Sequence, residues 1–270
     1  STSRTDSMGI MQKTAIVVPC YNEASRLDTK SFLESAEANG NLLYVFVNDG
    51  SSDGTQEKLK ALCTSNSKQI YLVNLEKNCG KAEAVRRGFA KAFEMNPVHV
   101  GYWDADLATP LMAVPIFCKI LENPKIEMVM GSRVLLMGRK IERQALRHYL
   151  GRVFATCASL VLGMPFYDTQ CGAKIFRNTE VLRTVFKKPF TVKWIFDVEI
   201  LARFIILEKY GNATSLNHSA IEYPLDEWKD VAGSKVRALD FIVAPLELTK
   251  IWLLVHAPGE RRRCAEFLED

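Results

Sequence analysis

Apolar residues along the chain fall into short blocks separated by polar turns. Residues 14–20, T-A-I-V-V-P-C, are a near-continuous β-branched run, the pattern of a strand buried on both faces. Pro19 cannot donate to a ladder, so the strand should end there. Tyr21-Asn22-Glu23 supplies the turn, and residues 24–38 read as a helix closed by Asn39-Gly40. A second strand over 42–47 runs into the turn cluster N-D-G-S-S-D-G-T, whose last members can cap a helix over about 55–63. The same alternation predicts strands over 70–75, 98–103 and 126–130, with helices over 82–93 and 110–121 between them. Strands alternating with helices at this spacing require right-handed crossovers and a mostly parallel sheet.

After Arg133 the pattern changes. Residues 135–143 are basic and irregular, and a long apolar helix is predicted over about 142–162. A strand over 172–177 follows, then helices over 179–186 and 197–210, a strand over 214–223 and an amphipathic helix over 237–256. The predicted organisation is a flexible N-terminus (1–13), one α/β domain (14–256, with halves 14–133 and 134–256) and a C-terminal tail (257–270). Two apolar stretches, 149–166 and 241–255, suit either core helices or helices lying in a membrane interface. Neither is an uninterrupted run of the length a membrane span needs.

Composition narrows this picture. With 35 basic against 31 acidic residues the net charge is +4, too small a bias to suggest nucleic acid as a partner. Seven scattered cysteines with no C-x-x-C pair argue against a disulfide framework or a zinc site, and fit a reducing cytoplasmic setting. The first thirteen residues are polar, with no signal-peptide core, and some of them ahead of Met8 or Met11 suit a remnant of expression.

In a parallel sheet the loops that follow the strands share one edge, where ligands bind. Here those loops carry Tyr21-Asn22-Glu23, Asn48-Asp49-Gly50-Ser51, Asn78-Cys79-Gly80-Lys81, Asp104-Ala105-Asp106 and Gly131-Ser132-Arg133. Asp104 and Asp106, at i and i+2, would share a face if the strand continued through them. Such a pair suits a hard divalent cation completed by water and phosphates. Taken alone, it is better read as a strand-end turn with solvated acids. Neither G-x-G-x-x-G after the first strand nor a G-x-x-x-x-G-K-[ST] loop occurs, which excludes the common dinucleotide and P-loop sites.

The ordered motifs P-C-Y-N-E, V-N-D-G-S-S-D-G-T, N-C-G-K-A-E-A, D-A-D and G-S-R resemble the family 2 glycosyltransferases of GT-A fold. The later D-T-Q-C-G-A-K-I-F, W-I-F-D-V-E-I-L and W-x(4)-G-S-K-V are similar to the dolichyl-phosphate β-glucosyltransferases and related polyprenyl-phosphate glycosyltransferases. The resemblance covers about residues 14–236. It implies a single GT-A domain with a mostly parallel sheet flanked by helices and a helical acceptor-side region. It further implies that Pro19, Tyr21 and Glu23 line the nucleotide end, with Asp49 accepting from a ring N–H of the base and Lys81 closing on the nucleotide. Asp104 and Ala105 would lie by the ribose and metal, Asp106 would be the main ligand of Mg²⁺ or Mn²⁺, and Arg133 would bind phosphate. Asp168 matches the acid near the acceptor, and Lys235 is expected to reach the diphosphate from a loop. Asn48 stands where an aspartate is common, and Ala108 where mannosyl-phosphate relatives can carry a glutamine ligand.

The reaction implied is inverting transfer of a hexose, glucose from UDP-glucose, to a polyprenyl or dolichyl phosphate. A phosphate acceptor is largely ionised at neutral pH, its second pKa being about 6, so Asp168 would orient more than it deprotonates. Arg143 and Arg147, four apart on one helix face, are expected to hold the acceptor phosphate beside a peripheral contact with the cytoplasmic membrane face. Their alternative is a solvated basic face. Transfer to a saccharide hydroxyl, and nucleotide-sugar binding without turnover, are the competing functions.

Overall fold

The structure, a computed structural model, describes residues 13–142, 145–231 and 238–269. Its order is β1 (Thr14–Cys20), α1 (Thr29–Ala38), β2 (Leu42–Asp49), α2 (Thr55–Ser65), β3 (Ile70–Leu75), α3 (Lys81–Glu94), β4 (His99–Trp103), α4 (Ala113–Leu121) and β5 (Met128–Ser132). Then come β6 (Lys140–Glu142), α5 (Ala145–Leu162), β7 (Ala173–Arg177), α6 (Glu180–Lys187), α7 (Phe196–Lys209), α8 (Leu216–Ser219), β8 (Ala220–Pro224), β9 (Glu227–Lys229), α9 (Ala238–His256) and α10 (Pro258–Glu269).

Seven strands form one sheet in the order β3-β2-β1-β4-β7-β5-β8, and β6 pairs with β9 apart from it. All neighbours in the large sheet are parallel except β7, which runs antiparallel to both β4 and β5. The mostly parallel sheet expected from the alternating pattern is therefore present, with one reversed strand in its interior. Because β7 comes from the second half and pairs between two strands of the first, the halves close into one unit.

The sheet is buried on both faces, and strand side chains alternate between them. Ala15 and Val17 face one core while Ile16 and Val18 face the other. On the second face Phe32 of α1 meets Tyr44 and Phe46 edge-on, with ring centroids 5.2 and 5.0 Å apart. On the first, α3 lies so close that a Cβ on Gly88 would collide with Val17 and Val47. Residues 196–207 of α7 are buried without interruption, so this helix is enclosed by its neighbours rather than amphipathic.

Three expectations shift. Residues 24–28 turn instead of starting a helix: Arg26 and Leu27 donate to the Glu23 carbonyl, and Asp28 caps α1 by accepting from Ser31 N at 3.1 Å. The strand expected over 214–223 opens as α8, with Ser215 O accepting from His218 and Ser219, before β8 begins. The segment after 256, expected as a tail, is α10: Leu268 is buried, and Arg262–Glu266 pairs at 2.8 Å. Both apolar stretches whose role was open divide their faces. Ala155, Ala158 and Leu162 of α5 and Leu248, Ile251 and Val255 of α9 are core; Val153, Leu160, Leu246 and Trp252 are exposed. Among the described residues, no helix is long and apolar enough to cross a membrane.

His99 opens β4 at the edge where the parallel strands begin, its Nδ1 3.4 Å from the Thr14 hydroxyl. Burial, with Arg177 nearby, pushes its imidazole down from 6.5 to about 4. The unfolded chain thus binds a proton that the fold refuses, and stability drains as pH falls through that window. We expect this residue alone to cost about 2 kcal/mol between pH 7 and pH 5. Urea unfolding at the two pH values should show His99→Gln losing correspondingly less over the same interval than the wild type.

Candidate active site

The carboxyl ends of β1, β2, β3, β4 and β5 lie at one edge of the sheet, and antiparallel β7 begins there, Ala173 opposite Trp103. The loops at this edge are fastened to one another. Asn22, at φ 51°, accepts from Ser52 N at 2.8 Å through its side chain and donates its backbone N–H to Ser51 Oγ at 3.0 Å. Glu23 N donates to Thr55 Oγ1 at 2.7 Å. Tyr21 is partly exposed at the rim and Pro19 is part-buried at the end of β1. The Glu23 carboxylate chelates Arg26, at 2.9 Å to Nε and 2.8 Å to Nη2. Arg26 in turn lies within electrostatic reach of Asp106 and Asp104.

Asp49, expected to read a base, is engaged by the backbone of a neighbouring loop. Its two oxygens accept from the backbone N–H groups of Cys79, at 2.7 Å, and Gly80, at 2.9 Å, and the residue is 2% exposed. It holds the 77–80 loop in place, and Gly50, at φ +62°, is packed so tightly on Lys77 that no side chain would fit. The open space lies beside it, in a polar pocket of about 270 Å³ lined by Asn48, Ser51, Gln56, Asn74 and Glu76. Asn48 Nδ2 donates to Asn74 Oδ1 at 3.1 Å there.

Asp104 and Asp106 follow β4 on a turn rather than on an extension of the strand. Leu107, at φ 53°, donates back to the Asp104 carbonyl at 3.3 Å. Ala105 is buried between the two acids, and Asp106 Oδ1 accepts from Ala108 N at 3.1 Å. Asp104 N donates to Gly172 O at 3.0 Å, which ties the turn to the start of β7. Lys81, the first residue of α3, places Nζ 2.6 Å from Asp104 Oδ1. Although partial desolvation of this half-exposed side chain disfavours its charge, Asp104, then Asp197 and Asp106, push the Lys81 ammonium up to about 12. Burial and the Asp104 charge push the Asp106 carboxyl up instead.

The second half supplies the other wall. Arg133 donates to Asp168 through Nε at 2.6 Å, Nη2 at 2.7 Å and its backbone N at 3.1 Å. Its guanidinium lies 5.3 Å from the Trp228 ring centroid. Burial opposes this charge too, but Asp168 holds the guanidinium proton more tightly than usual. Glu222 of β8 accepts from Tyr167 N and Asp168 N, each at 2.8 Å, and Arg152 stacks on the Tyr167 ring at 3.7 Å. Beneath this loop lies Lys174, 1% exposed, the second residue of β7. It donates to Thr169 O at 3.0 Å and Cys171 O at 2.7 Å, and pairs with Asp197, which also accepts from the Tyr102 hydroxyl. Asp197 is buried in the first turn of α7, whose N-cap is Ile195.

Asp104, Asp106, Lys81, Arg133 and Asp168 thus lie at one edge of the sheet. Arg143 and Lys235 lie outside the described residues, as does the side chain of Arg147. The reading by motif missed Arg26, Lys174 and Glu222. Lys174 had a signal: a lysine inside the apolar run A-K-I-F, with Asp197 inside the equally apolar I-F-D-V, is a charge pair written into two buried elements.

No group of three His, Cys, Asp or Glu side chains able to hold a metal occurs among the described residues. Two carboxylates on one turn, one of them under electrostatic pressure from the other, do fit Mg²⁺ or Mn²⁺ of the type completed by substrate phosphates and water.

The Glycosyl transferase family 2 model matches residues 15–181. The chain belongs to that family and is a glycosyltransferase. It is 31% identical over 257 residues to the dolichyl-phosphate beta-glucosyltransferase ALG5C of Trichomonas vaginalis, covering 90% of this chain and 72% of that one. The dolichyl-phosphate beta-glucosyltransferases of Saccharomyces cerevisiae and Homo sapiens are each 30% identical, covering 88% and 84% of this chain and 73% and 76% of theirs. Among solved structures, glucosyl-3-phosphoglycerate synthase from Mycobacterium tuberculosis, in complex with Mn²⁺, UDP-glucose and phosphoglyceric acid, superposes with a TM-score of 0.61. That likeness, at 16% identity over 93% of this chain and 84% of that one, shows the shared GT-A fold.

Gly172 is the tightest point of the rim, since a Cβ there would fall inside the Asp104 carboxyl group. Gly172→Ala should cost about 1–3 kcal/mol of stability and weaken binding of Mn²⁺ with UDP by about a hundredfold. Urea unfolding and ligand-induced thermal shifts would measure both.

Proposed function

We propose that the protein transfers a hexose, glucose from UDP-glucose, with inversion to a polyprenyl phosphate of the dolichyl type, using Mg²⁺ or Mn²⁺. The observation that carries this is the meeting of the Asp104-Asp106 turn, Lys81 and the Arg133–Asp168 pair at one sheet edge. It does so in a chain whose relatives over most of its length include dolichyl-phosphate beta-glucosyltransferases. The Asn48-Asn74-Glu76 pocket beside Asp49 is the proposed seat of the base. A bound divalent ion supplies charge neutralisation for the departing diphosphate, which is where the barrier to the displacement lies. Asp104 and Asp106 hold it, and Lys81 and Arg133 add positive charge beside them.

The acceptor phosphate attacks as a dianion and needs no strong base. This agrees with an Asp168 carboxylate already committed to Arg133: it aims the guanidinium at phosphate. The surface around the acceptor side favours a lipid. Leu135, Leu136 and Met137 are exposed just after Arg133, as are Tyr149, Leu150, Val153 and Leu160 on α5 and Leu246, Trp252 and Leu253 on α9. A groove of about 340 Å³ between α5 and α9 is lined by Val161, Pro245, Leu248 and Trp252. Arg152 links α5 to Tyr167, next to Asp168. Such a patch is what a peripheral membrane contact requires, and the cytoplasmic membrane face is the proposed location.

Incubation with radiolabelled UDP-glucose, Mn²⁺ and dolichyl phosphate should move label into the organic phase, and chelation should stop it. Label in a water-soluble product, or no transfer with any donor, would refute the proposal. In single-turnover assays Asp106→Ala should lose about 10³-fold or more. Asp168→Asn should lose only about 10- to 100-fold, the scale of a displaced but still present guanidinium. Equal losses would make Asp168 a base after all.

A further inference from the structure

Two cations at the site are each paired with a site carboxylate, and the two pairs are built differently. Arg133 is gripped by Asp168 through two side-chain bonds and a backbone bond, with side chains 14% and 9% exposed. Lys81 meets Asp104 through one contact, with side chains 41% and 35% exposed. Asp104 is fixed from behind by its N–H on Gly172 O, whereas the lysine hangs on a flexible four-carbon stem. It also opens α3, where the helix dipole repels a cation. The carboxylate, not the helix, keeps the ammonium where it is. Nearby Arg26 is a poor substitute, because Glu23 chelates it through both oxygens.

A divalent ion on Asp104 and an ammonium 2.6 Å from the same carboxylate compete for it, since their repulsion is twice that of two unit charges at equal spacing. We propose that Lys81 is the resident counter-ion of Asp104, which a divalent metal must displace. A metal alone would then bind weakly, while a metal arriving with a diphosphate would bind tightly because the diphosphate takes over the released ammonium. This rests on the reading above, in which metal and diphosphate meet at this edge. It makes the lysine a coupler: metal and nucleotide tighten each other by one reciprocal factor, and part of that factor is Lys81 changing partners.

The test is binding of Mn²⁺, followed by the paramagnetic resonance of the free ion, with and without UDP, in the full chain. Variants are Lys81→Met, Lys81→Arg and Asp106→Asn, each checked for an unchanged melting curve. Lys81→Met should bind Mn²⁺ alone about five-fold more tightly or better than wild type, and the tightening that UDP brings should shrink by at least about as much. Lys81→Arg, which keeps the charge, should stay near wild type. If Lys81→Met binds Mn²⁺ alone no better than wild type while UDP still tightens the metal fully, this inference is overturned and the reading of the site stands. If Asp106→Asn binds Mn²⁺ and UDP like wild type, the metal is not on this turn and both fall.

Discussion

A lysine buried in the middle of a sheet is a constraint that everything near it must meet. Lys174 is 1% exposed, and an ammonium taken out of water loses several kcal/mol of hydration. That loss is offset only because Asp197, the carbonyls of Thr169 and Cys171 and the face of the Tyr102 ring, 5.2 Å away, surround it. The carbonyls matter most for function. They belong to the loop that carries Asp168 and ends at Gly172, and bending both toward one ammonium fixes where that loop crosses the sheet edge. The reversed strand β7, between β4 and β5, brings this loop there.

From that loop the rest of the site follows by contact. Gly172 holds the Asp104 amide, Asp104 holds Lys81, and Asp168 holds Arg133. On the far side Asp49 gathers the amides of Cys79 and Gly80, which sets the start of α3 and therefore the position of Lys81. Lys229 N donates to Ala108 O, bringing the Trp228 strand beside the acidic turn. The outcome is an edge where carboxylates and cations stand close together, each partly neutralised by its neighbour. In the proposed reaction such an edge would take a metal and a diphosphate together without leaving a charge uncompensated.

Much of this was legible in the residues, for a physical reason: buried parallel strands are short apolar runs, and the loops after them are marked by Gly, Asn and Asp. The strands at 14–20 and 70–75 match the predicted runs, and Asp104, Asp106, Lys81, Arg133 and Asp168 do share an edge. What was not legible depends on contacts between distant segments. Nothing local tells that Asp49 serves backbone amides thirty residues on, since an aspartate in a turn looks the same whether it faces a ligand or a loop. The direction of β7 is likewise invisible in A-K-I-F-R, because apolar patterning carries no information about strand polarity. The ordering of α10 depended on α7 and α9 being there to receive Leu268.

The claim on which this account turns is that Lys174 tethers the loop that builds the site. Native-state hydrogen exchange of the amides from Asp168 to Ala173 in Lys174→Met tests it most directly. The account predicts that protection collapses in this segment and in Asp104, while β1, β2 and α3 exchange as in the wild type. Protection unchanged in the loop, or lost evenly across the sheet, would contradict it.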